Sequence, residues 1–407
     1  MITIACGLRR VLVVGITVLA AVAAPLGSAR AVSTSVDPSW MTNGKLYAMA
    51  EANGVLYLGG QFKQMRETPI GVAGTRFRVD NLGAIDLATG VGIKTFKPAV
   101  THSSQAAFVR ALAVAPDGSA LYVGGRFDAI AGVPVRNLAK IDLATGQVDP
   151  SFAPLVGRPT TDAVYTILVS DDGSKLYVGG NFKAVNGERR RFLAAFGADG
   201  SLDPAWTPSA NSNVRSLAFS TDRLTVFAAG NFDQMNGVSR QSVARLDAVT
   251  GALHPWAVPG GEIPSPMTCW SLTATSTRLF VGCGLGPNFV EAFRLDNGTT
   301  GSRAWKFSTV GNVQKVELGT EGLFVGGHFG TGRLQQKVCG NQQLRGLMLM
   351  NPATGAIDCS WIPQLEPYGD NYQGVWDIDL TSTHVWFAGS FTHVNGTAQQ
   401  NVARMLR

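Results

Sequence analysis

Short segments in which apolar and other residues alternate recur along the chain: VRALAV (109–114), VYTILV (164–169), VRSLAF (214–219) and VWDIDL (375–380). A period of two is what a strand buried on one face requires. Each segment runs through a turn, PDGS at 116–119 or DDGS at 171–174, into an apolar phrase that ends in two glycines and an aromatic. That phrase reads LYLGGQF at 56–62, LYVGGRF at 121–127, LYVGGNF at 176–182 and LFVGGHF at 323–329. Asp-Gly between two strand-like segments predicts a hairpin. A polar loop follows, often carrying Asn-Gly, as at 186–187, 236–237 and 395–396. Then come NLAKIDLATG (137–146) and VDPSFAP (148–154), matched by NLGAIDLATG (81–90) and SLDPAWTP (201–208). Each unit therefore reads strand, hairpin, strand, loop, strand, turn, short strand.

Aligned on the glycine pair, the phrase falls at Gly60, Gly125, Gly180, Gly230, Cys283, Gly327 and Gly389, a period of about 55 residues. Units of this size cannot bury both faces of a sheet alone and must stack. Four antiparallel strands repeated seven times predict an all-β fold, a seven-bladed β-propeller with four-stranded antiparallel blades. The ends of the chain fit this reading. NVARMLR (401–407) matches the third strand of a unit, and a fourth-strand segment, VDPSW, stands at 36–40. Pairing residues 36–40 into the C-terminal blade would close the ring and leave no exposed edge. The glycines are expected to let neighbouring sheets approach, with Phe62, Phe127, Phe182, Phe232, Phe329 and Phe391 plugging the space between them. The repeated Asp86, Asp142, Asp247 and Asp296 are expected to shape turns.

These motifs, YVGGxF with its Asn-Gly loop, LAxIDxxTG and DPxFxP, resemble the Delta-60 repeat propellers common in exported bacterial proteins. The resemblance covers nearly all of 36–407 and is clearest in units two to four. Unit five departs most, since LFVGCGLG loses the second glycine and the aromatic. The resemblance implies a fold and an extracytoplasmic setting, with no defined reaction and no catalytic residues to carry over.

Arg9 and Arg10 precede an apolar run, VLVVGITVLAAVAAPLG at 11–27, and Ala29-Arg30-Ala31 supplies a small-x-small cleavage site. Residues 1–31 therefore read as a secretory signal peptide, by the general or the twin-arginine route, and 32–407 as a single exported propeller domain. The run is interrupted by Gly15, Pro25 and Gly27 and is too short for a span, so no membrane span is expected after signal removal. Residues 1–31 hold three Arg and no acid, and without them the net charge falls from +6 to +3. No long basic run remains, and nucleic acid is not an expected partner. Cys269, Cys283, Cys339 and Cys359 are left, an even set that an oxidising compartment would pair in one of three ways. Cys269 and Cys283 lie at positions that face each other across a hairpin in the other units, which leaves Cys339 to Cys359; reduced buried thiols are the alternative. No spacing resembles a zinc site, and no metal or cofactor is expected.

In a propeller the first strands line a central channel. Their opening positions vary from unit to unit: Tyr47, Arg110, Tyr165, Arg215, Trp270, Gln314 and Trp376. Aromatics, guanidinium groups and an amide at one level suit a sugar or an acidic group; the same side chains would equally serve as packing between blades. Longer loops at 64–81, 259–268, 330–346 and 363–374 are expected on that face, the last bringing Tyr368, Asp370, Asn371 and Tyr372. The expected function is thus an exported binding or interaction module for a carbohydrate, a cell-envelope component or an extracellular protein. The alternatives are an extracellular polysaccharide hydrolase or lyase and a purely structural scaffold. No GxSxG, HExxH or phosphate-cradling motif occurs, and His328 and His393 read as exposed loop residues. Catalysis would require some of Glu317, Glu366, Asp370, Asp377 and Asp379 to converge in space.

Overall fold

The computed structural model describes residues 31–296, 298–330, 335–367 and 374–407, and every regular element among them is a β-strand. The signal peptide read over 1–31 lies outside the described residues, apart from Ala31, as do Tyr368, Asp370, Asn371 and Tyr372.

Each unit opens on a hairpin. The first strands are Lys45–Ala52, Phe108–Val114, Ala163–Val169, Val214–Phe219, Thr268–Ala274, Val313–Leu318 and Gly374–Leu380. Each pairs antiparallel with the strand that carries the glycine phrase, and a third strand pairs on the far side, as Leu138–Asp142 does on Ala120–Arg126. Most sheets stop at three strands, where four were expected. The fourth segment shrinks to one bridge, Ile85 to Gly92, Ile141 to Val148, Phe196 to Leu202, Leu246 to Leu253 and Met350 to Ile357. The cause is local. In the VDPSF and SLDPAW segments the aspartate accepts a bond from a backbone N–H two residues on, Ser151 N to Asp149 Oδ1 at 3.0 Å and Ala205 N to Asp203 Oδ1 at 2.8 Å. That turn and the following proline, which has no N–H, end the strand at once. Unit five keeps a full fourth strand, Arg303–Thr309.

At the other end of the unit, small two-stranded hairpins follow the glycine phrase, such as Ala184–Val185 with Glu188–Arg189. Asn186 and Gly187, at φ of 51° and 83°, make the two-residue turn, as do Asn236-Gly237 and Asn395-Gly396. Both positions are left-handed, the conformation Asn and Gly tolerate best. Asp86, Asp142 and Asp247 accept bonds from the backbone and hydroxyl of Thr89, Thr145 and Thr250, the turn chemistry expected of them.

The core lies between consecutive units rather than within any one of them. One apolar layer joins Leu82, Ala84 and Val100 to Val109, Val123 and Phe127; another joins Tyr177 and Trp206 to Val214 and Val226. A further layer combines Leu46, Met49 and Leu58 from the start of the described chain with Trp386, Ala388 and Val402 from its end. The aromatics two residues after the glycines are all buried in such layers. Polar stitches repeat the pattern. Asn81 Nδ2 donates to Val100 O, Asn137 Nδ2 to Val156 O and Asn401 Nδ2 to Thr42 O, each at 2.8 Å. The indoles of Trp206, Trp256, Trp305 and Trp361 donate to Asp247 O, Arg294 O, Pro352 O and Ser33 O. Val36 and Asp37 pair antiparallel with Met405 and Arg404. A buried amide donor left without its acceptor costs ~1–3 kcal/mol, so these bonds fix how adjacent sheets sit.

Candidate functional site

The first strand of every unit contains a bulge at the same place. In unit two, Gly125 opposes Val109 and Gly124 opposes Ala111, which leaves Arg110 without a partner. The register jumps likewise over Tyr47, Tyr165, Arg215, Trp270, Gln314 and Trp376. A bulge re-aims the extra residue out of the ladder, and these seven side chains line one cavity of about 400 Å³. The seven positions singled out from the sequence are thus the seven bulged residues.

The glycine pair explains why the bulge recurs, and the two glycines do different jobs. A Cβ on Gly124 would collide with Val164 of the next unit, so the first glycine permits close approach between sheets, as expected. A Cβ on Gly125 would overlap the carbonyl oxygen of Phe108 in its own hairpin. The second glycine therefore makes room for the bulge. In unit five that place is held by Cys283, directly opposite Cys269, and the two are joined in a disulfide with Cα atoms 4.0 Å apart. Cys339 and Cys359 form the second disulfide.

Within the cavity the bulged residues form two cation–aromatic sandwiches. The Arg110 guanidinium lies 4.2 Å from the Trp376 ring and 4.8 Å from Tyr47; that of Arg215 lies 4.4 Å from Tyr165 and 4.7 Å from Trp270. The Trp376 ring meets Trp270 edge-on at 5.8 Å and Tyr47 at 5.6 Å. Contacts of this kind are worth ~0.5–2 kcal/mol each. They account for part of the arrangement as packing, the plainer of the two sequence readings. The polar atoms are not used up. Among the described residues neither Arg110 nor Arg215 has an ion pair, and the indole Nε1 of Trp270 and of Trp376 and the Oε1 of Gln314 are buried without a hydrogen-bond partner. Burial, then the nearby charge of Arg215, lowers the Arg110 pKa to about 10, still protonated at neutral pH; burial also lowers that of Arg215.

The carboxylates begin directly behind the bulged residues, where Lys315, Glu317 and Asp377 line the same cavity, and continue along the strands to Asp379. Lys315 Nζ lies 2.9 Å from Asp377 and 3.1 Å from Glu317, and Asp377 also accepts the backbone N–H of Met49 at 2.7 Å. Burial alone would lower the Lys315 pKa, but Asp377 and Glu317 outweigh it and hold the ammonium charged. Glu51 and Asp379 line the same recess, and the Oδ2 of Asp379 is buried without a partner. Burial, reinforced by the charge of Asp377, raises the Asp379 carboxyl to about 7. Of the carboxylates singled out from the sequence, Glu317, Asp377 and Asp379 therefore come together. Glu366 stands apart with His393, 3.4 Å away, and Asp370 is outside the described residues. The reading of His328 and His393 as exposed loop residues is corrected in part. His393 sits on the strand His384–Val394 and is partly shielded, and His328 is half-buried, which lowers its pKa. Lys315 was missed. It follows Gln314 in an ordinary alternating segment, and only the position of Asp377 on the next unit's first strand gives it a role.

Repeated antiparallel hairpin units stacked through shared apolar layers, with one residue from each turned into a common cavity, define a β-propeller repeat protein. Residues 115–152 and 174–205 match a family described as "Domain of unknown function (DUF5122) beta-propeller". The matched stretches run from the hairpin turn to the fourth segment in units two and three. No curated protein sequence matches the chain. Those two stretches are similar to the repeats of a β-propeller family of undefined function. Two disulfides, and no helix among the described residues long and apolar enough to cross a membrane, are compatible with an extracellular protein.

Proposed function

We propose that the seven units close into a seven-bladed β-propeller, with residues 36–40 completing the last blade. In this reading the chain is exported by the leader at 1–31 and works as a binding module. Its ligand, a carbohydrate or another component of the cell envelope, enters the funnel formed by Tyr47, Arg110, Tyr165, Arg215, Trp270, Gln314 and Trp376. One observation carries the reading: seven separate bulges, each made at the cost of a ladder position, deliver seven mostly polar or aromatic side chains to one cavity. Packing alone would be served as well by the aliphatic residues that fill the layers between units. A rigid ring with variable residues at one mouth is a usual form of binding site. The test is titration of the secreted protein against a glycan array and against its own envelope fraction, followed by intrinsic tryptophan fluorescence and repeated on Trp376→Ala. Binding that Trp376→Ala weakens supports the proposal; indifference of both proteins to every ligand refutes it.

A second reading, a polysaccharide hydrolase or lyase, draws on Glu317, Asp377 and Asp379 at the far end of the channel. A carboxyl raised to about 7 beside other carboxylates is an arrangement that acid–base chemistry uses. Release of reducing ends from envelope or plant polysaccharides, abolished in Asp379→Asn, would establish it. The hold of Lys315 on Asp377 and Glu317 favours the binding module instead, because both carboxylates are already engaged.

A further inference from the structure

The mouth of the channel beyond the bulged residues is a space of about 370 Å³ whose charged lining among the described residues is Lys45, Arg110, Arg126 and Arg215, with no carboxylate among them. The recess at the opposite end of the first strands has the reverse character, with Glu51, Glu317, Asp377 and Asp379 around the single cation Lys315. The charge of the channel is therefore sorted along its length. At the mouth, hydrogen-bond donors also exceed acceptors. Arg110 donates no hydrogen bond to a described residue, Arg215 bonds from Nε to Asn231 Oδ1 at 3.1 Å and to the Tyr165 side chain, and two buried indole N–H groups have no acceptor among the described residues. Like charges brought together in a low-dielectric cleft repel, and a cleft lined by one sign focuses its field on a counter-ion. Donors without acceptors add a preference for groups that only accept. Both observations point the same way.

We propose that the mouth binds the carboxylates of an acidic saccharide, a uronic acid oligomer, with Arg110 and Arg215 as the anion-holding residues and the Trp270 and Trp376 indole N–H groups as further donors. This rests on the binding-module reading and names its ligand class. A guanidinium offers a carboxylate two parallel N–H donors, a geometry a hydroxyl does not match. Tyr47, Tyr165 and the indole edges supply the apolar wall that pyranose C–H groups require. Neutral sugars satisfy the wall and leave the cations uncompensated.

The experiment titrates the mature protein with trigalacturonate, with neutral galactotriose, and with inorganic phosphate, by calorimetry and tryptophan fluorescence at 50 and 500 mM salt. Trigalacturonate is expected to bind, galactotriose at least tenfold more weakly, and the affinity for trigalacturonate to fall with salt. Arg110→Gln and Arg215→Gln should each weaken it at least tenfold. Trp376→Phe, which keeps the ring and loses the N–H, should weaken it several-fold and provides the test if an arginine variant fails to fold. Equal binding of galactotriose, undiminished in the arginine variants, would overturn the anion site and leave the binding module standing. Phosphate binding as tightly as trigalacturonate would overturn the saccharide as the source of the anion. No binding of any saccharide, from the array or here, would remove both proposals together.

Discussion

Replacing Asp379 by asparagine should stabilise the protein above neutral pH and leave it unchanged in acid. Asp379 lies beside Asp377 in the recess, with one carboxyl oxygen buried and unpaired, and its pKa rises from 3.8 to about 7. The sign follows from where the proton sits. Between pH 3.8 and about 7 the unfolded chain has lost the proton that the folded chain keeps, so stability falls as pH rises through this window and then levels off. At ~1.4 kcal/mol per pH unit the displacement sets a ceiling of about 4 kcal/mol. Asp379 lines a recess open to solvent, and screening there brings the expected gain of Asp379→Asn to about 1–2 kcal/mol at pH 8. Urea unfolding of both proteins at pH 4 and pH 8 measures it. Asp377→Asn is the control with the opposite sign. It removes the ion pair to Lys315 and weakens the acceptor of the Met49 N–H, and it should destabilise at pH 8. A variant Asp379→Asn no more stable than the parent at pH 8, or equally stabilised at both pH values, would refute the reasoning.

Four further variants test the architecture. Gly180→Ala places a Cβ against the Ala163 carbonyl oxygen and should cost roughly 2 kcal/mol or more in thermal or urea unfolding. Gly187→Ala, whose Cβ meets nothing within 4 Å but whose φ is 83°, should cost only about 1 kcal/mol. Exchanging both Cys269 and Cys283 for serine opens a crosslink between residues 14 apart and should cost about 3 kcal/mol, read as a lower urea midpoint that reductant does not lower further through this pair. Asn401→Ala removes the buried bond to Thr42 O that joins the two ends of the described chain, and should cost ~1–3 kcal/mol; a loss no larger than that of a surface Asn→Ala would count against a closed ring.

Much of this was legible in the chain because a repeat states its own register. The Asp-Gly and Asn-Gly turns, the alternating segments and the position of Cys269 against Cys283 all follow from periods of two and of about 55, which depend only on neighbouring residues. Even the seven channel positions could be chosen, as the residues near the start of each unit's first strand. The bulge that turns Arg110 and its counterparts inward was hidden. It brings a carbonyl of the partner strand to the place a Cβ would take at the second glycine, and no hydrophobic pattern records a carbonyl. The fourth strand was overread for a related reason. VDPSF alternates like a strand, but the hydrogen bond that Asp149 makes to its own backbone wins.

The amino-acid order by itself determined the unit, its turns and which residues would be buried, because those depend on contacts within a few residues or across a tight hairpin. Tertiary structure alone decided the electrostatics. Gln314 and Lys315 are neighbours in one strand, yet one joins the ring of bulged residues and the other is clasped between Glu317 and Asp377. The Asp379 carboxyl is raised to about 7 because the fold buries it beside Asp377, with Glu317 and Glu51 added from other units. Charge acts through space and along no particular sequence spacing, so the sorting of cations to one mouth and carboxylates to the other becomes visible only once the first strands stand side by side.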